Sequence, residues 1–113
     1  MSKRIDEFKK ERERLNEAVL DRNSRNIQRF FALDGAVYRE GALSAKTKEL
    51  LGLVGSLVLR CDDCITYHLT RVKEADITDD EFDEAMSIGL VVGGSITVPH
   101  VRRAYETWKE LSE

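Results

Sequence analysis

The sequence predicts an all-α protein, a bundle of about six helices, because three of its features favour helices over strands. Apolar residues recur three and four positions apart, whereas the alternation typical of strands is hard to find. Proline occurs once, at Pro99, and polar capping residues and glycines divide the chain into segments of helical length. With 113 residues the chain fits a single domain, 1–113, in which an N-terminal helix within 1–24 precedes a core at 25–111.

The N-terminal half of the chain contains three predicted helices. The first, over about 3–21, carries an apolar stripe among charged residues. After a polar interruption, a second helix continues from about residue 27 and ends near Gly41. Ser44 is a favourable N-cap for a third helix, which fills 47–58.

The C-terminal half contains three more predicted helices. A fourth is expected over about 62–76. Thr78, followed three residues later by a glutamate, has the form of a capping box and opens a fifth helix that ends at the glycine pair at 93 and 94. The last helix covers about 95–111, where Pro99 is tolerated only because it lies near the start.

Two segments, Leu50–Leu59 and Ile88–Val98, are apolar on all sides. A helix of that composition is buried all round, and a chain of 113 residues has few elements with which to cover two of them. We therefore expect copies of the chain to cover them in a homo-oligomer. The alternative is a monomer in which the two segments form a single, deeply buried helix pair.

Charge and hydropathy argue against several classes of partner. The 18 basic and 21 acidic residues nearly cancel to a net charge of −3, so no strong field attracts nucleic acid or an anionic membrane. No apolar run reaches the roughly 18 residues of a membrane helix, and the charged N-terminus lacks the apolar segment of a secretory signal. We expect a cytoplasmic protein with no nucleic-acid partner and no membrane partner.

The two cysteines, Cys61 and Cys64, stand three residues apart in a CxxC pair. A permanent disulfide is uncommon in a reducing cytosol, and a loop this short removes little entropy from the unfolded chain. Both residues lie in or just before the first turn of the fourth helix, where free N–H groups and the helix dipole favour a thiolate. The pair is therefore predicted to be redox-active rather than structural.

Two further side chains complete a predicted catalytic set. His68 lies four residues after Cys64, so its imidazole can reach the thiol and take its proton. Glu49 precedes Cys61 by twelve residues, about 18 Å along a continuous helix. If the chain turns back near Arg60, the third and fourth helices form an antiparallel hairpin that brings Glu49 close to His68. Glu49 would then orient the imidazole and raise its basicity.

This spacing resembles the signature of the alkylhydroperoxidase AhpD-like branch of the carboxymuconolactone decarboxylase family. That signature is a Glu, then Cys-x-x-Cys, then a His after three intervening residues. The four positions here are Glu49, Cys61, Cys64 and His68. The flanking segments at 43–51 and 78–85 are also similar to the family, and the resemblance covers roughly residues 25–111.

The resemblance implies a fold, an assembly and a reaction. The fold is an AhpD-like all-α bundle that assembles into trimers or hexamers. The reaction is a thiol-dependent peroxidase cycle in which Cys64 attacks a peroxide and Cys61 resolves the sulfenic acid as a disulfide. His68 is then the base and Glu49 orients it or relays protons. A dithiol donor from outside the chain, a lipoyl protein in the AhpD system, reduces the disulfide; no cofactor and no metal are expected.

Some features keep other interpretations open. Asp62 and Asp63 stand between the cysteines, where the best-known members carry a His, and their charges oppose thiolate formation. One alternative is an oligomeric binding module with idle thiols, and another is a zinc site built from the four candidate side chains. A disulfide-exchange enzyme would use the same residues. Helix position alone favours Cys61 over Cys64 as nucleophile, and for His100 the sequence identifies no partner.

Overall fold

The computed structural model describes residues 2–113, and these residues form six α-helices and no strand. The predicted all-α class is thereby confirmed. In chain order the helices are α1 (Lys3–Leu20), α2 (Arg25–Val37), α3 (Ala45–Val58), α4 (Asp62–Glu74), α5 (Asp79–Gly93) and α6 (Val98–Leu111), with a 3-10 turn at Ser95–Thr97 before α6.

Side-chain caps determine where α3 and α5 begin. The Ser44 hydroxyl accepts a hydrogen bond from the Thr47 amide at 3.0 Å. At α5 the predicted capping box is present, because the Thr78 hydroxyl accepts from the Glu81 amide at 3.1 Å and the Glu81 carboxylate accepts from the Thr78 amide at 2.8 Å. The bond from the Thr78 amide, together with Lys46, holds the pKa of Glu81 below its ordinary value.

The second helix is shorter than predicted, since α2 ends at Val37 and not near Gly41. The Lys48 ammonium, from α3, donates to the carbonyls of Val37 and Arg39 at 2.8 and 2.6 Å. A cation that binds the last carbonyls stabilises a helix end. The C-terminus of α2 is therefore set by a side chain from the following helix.

The last helix also begins later than predicted. Pro99 has no amide hydrogen with which to bond the carbonyl of Ser95, so an α-helix cannot start there. The chain forms the tighter 3-10 turn at Ser95–Thr97 instead, and α6 starts at Val98 with Pro99 in its first turn.

The core lies among α3, α4, α5 and α6, and α1 adds one side chain to it. Trp108 stacks on Phe82 with ring centroids 4.7 Å apart, and its indole N–H donates to Asp79 at 2.8 Å. The buried apolar residues are Ile5, Leu53, Leu57, Ile65, Leu69, Val72, Ile77, Phe82, Met86, Ala104, Trp108 and Leu111. Within residues 2–113, no helix has the length and apolar character needed to span a membrane.

Large apolar side chains stay exposed on the chain. In the first predicted apolar segment, Leu51 is 57% and Leu59 is 78% exposed, and in the second, Val91 is 85% and Val92 is 67% exposed. The helix α2 buries none of its side chains. The helices of the two segments, α3 and α5, pack against each other, but a single chain leaves one side of each segment uncovered.

Candidate active site

The turn between α3 and α4 brings the candidate residues together. The Cys61 amide donates to the Ser56 carbonyl at 3.1 Å and the Arg60 amide donates to the Leu57 carbonyl at 3.0 Å, which is the Schellman pattern of a helix end. Arg60 has a φ of 60°, in the left-handed region that glycine usually occupies at this position. The predicted reversal near Arg60 is confirmed, and α3 and α4 pack against each other.

Cys61 and Cys64 form a disulfide at the N-terminus of α4. Cys61 is the N-cap, and its Sγ accepts a hydrogen bond from the Cys64 amide at 3.2 Å. The two residues differ in access, because Cys61 is half-buried and Cys64 is exposed. An external reagent therefore meets Cys64 first, while the sulfur of Cys61 has the helix-terminal N–H that stabilises a thiolate.

Glu49 and His68 make a buried contact between α3 and α4. Glu49 Oε2 lies 3.0 Å from His68 Nδ1, and the two residues are 5% and 8% exposed. The other carboxylate oxygen accepts from Arg71 Nε at 3.5 Å. The predicted approach of Glu49 to His68 is confirmed. In a neutral imidazole this contact keeps the proton on Nδ1 and leaves Nε2 as the basic nitrogen.

Tyr38 is a site residue that the sequence did not reveal. Its hydroxyl lies 3.5 Å from His68 Nε2, and the two ring centroids are 5.3 Å apart. Burial, followed by the charges of Asp34 and Glu49, raises the pKa of Tyr38 above its ordinary value, so the phenol keeps its proton and can donate to Nε2. Tyr38 directly follows α2, and no local spacing connects it with α4.

Gly52 on α3 provides the space in which His68 and Tyr38 meet. A Cβ at this position would lie 2.7 Å from His68 Cε1, 2.9 Å from His68 Nε2 and 2.7 Å from Tyr38 Oη. Carbon contacts are normally about 3.5 Å or longer. The observed position of the imidazole therefore depends on a glycine at position 52.

A pocket of about 210 Å³ opens beside Cys64. The guanidinium of Arg12 covers one side of it and lies 3.9 Å from the centroid of the Tyr67 ring. Cys64 and His68 line this common space. In the disulfide form neither sulfur has a proton, so proton transfer from the Cys64 thiol to His68 stays a prediction. The lining residues are Arg12, Asp34, Asp63, Cys64, Tyr67 and His68.

The two aspartates of the CxxC pair have different surroundings. Asp62 accepts at Oδ1 from His100 Nδ1 at 2.8 Å and at Oδ2 from Arg103 Nε at 2.9 Å, both from α6. Asp63 instead lines the pocket with Cys64. His100 thus has a partner that the sequence did not identify, because 38 residues separate the two positions.

Metal-binding geometry is not found among residues 2–113, where no three side chains of His, Cys, Asp and Glu are grouped so that they could hold an ion. The sulfurs of the predicted ligands are joined to each other, and His68 contacts Glu49. This arrangement gives no support to the zinc alternative.

Comparison with solved structures finds close relatives in fold and sequence. Two crystal structures of TM1620 from Thermotoga maritima match this chain with 57% and 55% identity and TM-scores of 0.92 and 0.90. Each match covers 94% of this chain, and 93% and 90% of the other chain, respectively. TM1620 is described as a carboxymuconolactone decarboxylase family protein, and a role in the antioxidative response has been suggested for it.

Two more distant relatives share the fold or part of the sequence, and a family model also matches. A carboxymuconolactone decarboxylase family protein from Legionella pneumophila shares the fold at 23% identity, with a TM-score of 0.88 over 99% of this chain and 100% of that one. "Uncharacterized protein 4 in cox locus" of Paracoccus denitrificans is 26% identical over 82 residues, which are 73% of this chain and 74% of that protein. The sequence model of the carboxymuconolactone decarboxylase family matches residues 26–107. The chain therefore belongs to the carboxymuconolactone decarboxylase family.

Proposed function

We propose that this chain is a thiol-dependent peroxidase of the AhpD-like branch, and that a dithiol such as a lipoyl protein reduces it. The observation that carries the proposal is the exposed Cys64, which is bonded to Cys61 at the start of α4 and shares a pocket with His68. Glu49 Oε2 contacts His68 Nδ1 at 3.0 Å. The antioxidative role suggested for the Thermotoga maritima relative gives independent support.

The first step oxidises Cys64. In the reduced protein, His68 takes the thiol proton and the carboxylate of Glu49 stabilises the imidazolium that forms. The Cys64 thiolate attacks one oxygen of the peroxide, the O–O bond breaks, and a sulfenic acid and an alkoxide result. The imidazolium returns its proton to the alkoxide, which leaves as an alcohol, or as water when the substrate is hydrogen peroxide.

The remaining steps form the disulfide and reduce it again. Cys61 attacks the sulfur of the Cys64 sulfenic acid, and water leaves as the disulfide forms. A thiolate of the external dithiol then attacks the exposed Cys64 and releases Cys61, whose negative charge the Cys64 amide stabilises at 3.2 Å. The second thiol of the donor displaces Cys64, so the donor leaves as a disulfide and two electrons have entered the protein.

Disulfide exchange with a partner protein is the second candidate function. Asp63 lines the pocket beside Cys64, and a carboxylate there opposes formation of the thiolate that attacks peroxide. Reduction of the existing disulfide by an external thiolate does not require Cys64 to ionise first. The two functions use the same cysteines and differ in which oxidant the reduced protein meets.

The test is stopped-flow oxidation of the reduced protein by hydrogen peroxide and by an alkyl hydroperoxide, followed by addition of dihydrolipoamide. The proposal expects oxidation at least about 100-fold faster than that of free cysteine, which a general base supplies, and re-reduction of the resulting disulfide. Cys64→Ser should abolish turnover. Slow oxidation by peroxide with fast reduction by dihydrolipoamide would instead support disulfide exchange. Slow oxidation and slow reduction together would support the binding module with idle thiols.

A homo-oligomer, a trimer or a hexamer, in the cytoplasm is part of the same proposal. The exposed apolar surfaces of α2 and α5 support it, since Phe30 is 65% and Val91 is 85% exposed. Sedimentation velocity should give three or six times the 12.9 kDa of one chain, and Val91→Glu should shift the protein towards smaller species. A parental protein that sediments as a monomer at micromolar concentration would overturn the assembly.

A further inference from the structure

We propose that Arg103 and His100 are positioning residues for the redox pair, and that they act through Asp62 to keep its negative charge away from Cys61. Both residues lie on α6, outside the pocket that Cys64 and His68 share. The inference rests on the proposed thiol chemistry and names residues that tune it.

The geometry of the cluster fixes the Asp62 carboxylate at both oxygens. His100 Nδ1 lies 2.8 Å from Oδ1 and Arg103 Nε lies 2.9 Å from Oδ2. Arg103 Nη2 is also 3.2 Å from His100 Nδ1, so the three side chains form one cluster. Two bonds at separate oxygens restrain the rotation of the carboxylate. The side chain of His100 is 18% exposed, whereas those of Asp62 and Arg103 are 46% and 56% exposed.

Asp62 has two opposite effects on the start of α4. It is the first residue after the Cys61 N-cap, and a negative charge in the first turn stabilises a helix. The same charge, one residue from Cys61, disfavours a thiolate there. Because a guanidinium stays protonated at every physiological pH, Arg103 compensates this charge whatever the state of His100. The helix thus keeps its acidic first turn while the charge of Asp62, next to Cys61 in the chain, is compensated.

The experiment measures how readily Cys61 ionises. In a Cys64→Ser background, the rate of Cys61 alkylation by iodoacetamide is followed against pH, with no peroxide present. Arg103→Gln should reduce the thiolate fraction at pH 7 about three- to tenfold, and His100→Ala should act in the same direction but less. Adding Asp62→Asn to Arg103→Gln should restore the parental fraction to within about twofold, because the uncompensated charge is then gone.

The controls separate this electrostatic role from a structural one. Arg102→Gln removes the same charge from the same helix one residue away and should leave alkylation unchanged. An unchanged rate in Arg103→Gln would overturn the proposal, and so would a loss that Asp62→Asn does not restore, since that pattern means a general disturbance of α4. Because alkylation needs no peroxide, failure of the proposed peroxidase and failure of this inference give different results.

A second readout uses the intact cysteine pair. Weaker stabilisation of the thiolate makes the disulfide harder to reduce, so Arg103→Gln should lower the reduction potential. Equilibration with glutathione at pH 8.5 should give a three- to tenfold change in the equilibrium constant, which corresponds to about 14 to 30 mV for a two-electron couple. A potential that does not move, or that rises, would contradict the proposed role.

Discussion

Replacing Gly52 with alanine should damage the candidate site without touching a substrate. The added Cβ would lie 2.7 Å from His68 Cε1 and 2.7 Å from Tyr38 Oη. Carbon contacts are normally about 3.5 Å or longer, so the imidazole has to move by about 0.8 Å. Because Glu49 holds the other side of the ring at 3.0 Å, the movement stretches that contact or turns the ring away from Cys64.

The size of the effect follows from this displacement. Overpacking of this kind destabilises a protein by about 1–3 kcal/mol, and a misplacement of about 1 Å among reacting groups costs roughly 100-fold in rate. Stopped-flow oxidation by hydrogen peroxide measures the rate, and thermal unfolding measures the stability. We expect Gly52→Ala to lower both the oxidation rate and the unfolding temperature.

Gly55 on the same helix is a matched control. A Cβ at Gly55 meets nothing within 4 Å, so Gly55→Ala should stabilise the protein by about 0.5–1 kcal/mol and leave the oxidation rate unchanged. Parental rate and stability in Gly52→Ala would refute the reasoning, because the imidazole would then not depend on its contact with α3. A loss of rate in Gly55→Ala would also contradict it.

Four other substitutions test separate parts of the structure. Glu49→Gln should slow peroxide oxidation about 10- to 100-fold, since it removes the charge that stabilises the imidazolium. Tyr38→Phe should change the rate by less than about threefold, because its contact with His68 Nε2 is long, at 3.5 Å. Arg60→Gly should raise the free energy of unfolding by about 1 kcal/mol, since it relieves a left-handed φ of 60°. Burial, followed by the hydrogen bond to Asp83, raises the pKa of Tyr105 to about 12. The protonated phenol therefore stabilises the folded protein fully below about pH 10, its ordinary pKa, and this stabilisation should fade as the pH rises towards 12. Tyr105→Phe should lack this alkaline fall in the unfolding temperature.

Each of these expectations has a result that contradicts it. If Glu49→Gln kept the parental oxidation rate, the carboxylate of Glu49 would have no role in the proposed proton relay. A loss above about tenfold in Tyr38→Phe would mean that the phenol takes part in proton transfer. Unchanged stability in Arg60→Gly, or the same alkaline fall in Tyr105→Phe as in the parent, would show that the corresponding contact contributes little.

The parts of the site that lie on one helix or one hairpin are predictable from sequence. His68 and the cysteine pair lie on α4 or at its start, where residue spacing determines the geometry. Glu49 is on another helix, yet a short turn at Arg60 brings α3 and α4 together as a hairpin. Local spacing and a single turn therefore suffice to predict the contact between Glu49 and His68.

The parts that depend on packing between distant helices are not predictable in this way. Tyr38 directly follows α2 and reaches His68 on α4, and the end of α2 is bound by Lys48 from α3. His100 reaches Asp62 only because α6 packs against α4. No periodicity in the sequence encodes either contact, since each depends on where a whole helix lies relative to another.

The most direct test of the central claim is to trap the sulfenic acid. Reduced Cys61→Ser protein is treated with an equimolar amount of hydrogen peroxide in the presence of dimedone, and the adduct is located by mass spectrometry. The account predicts an adduct on Cys64, and none on Cys61 when Cys64→Ser is treated in the same way. An adduct on Cys61, or no adduct in either variant, would contradict the account.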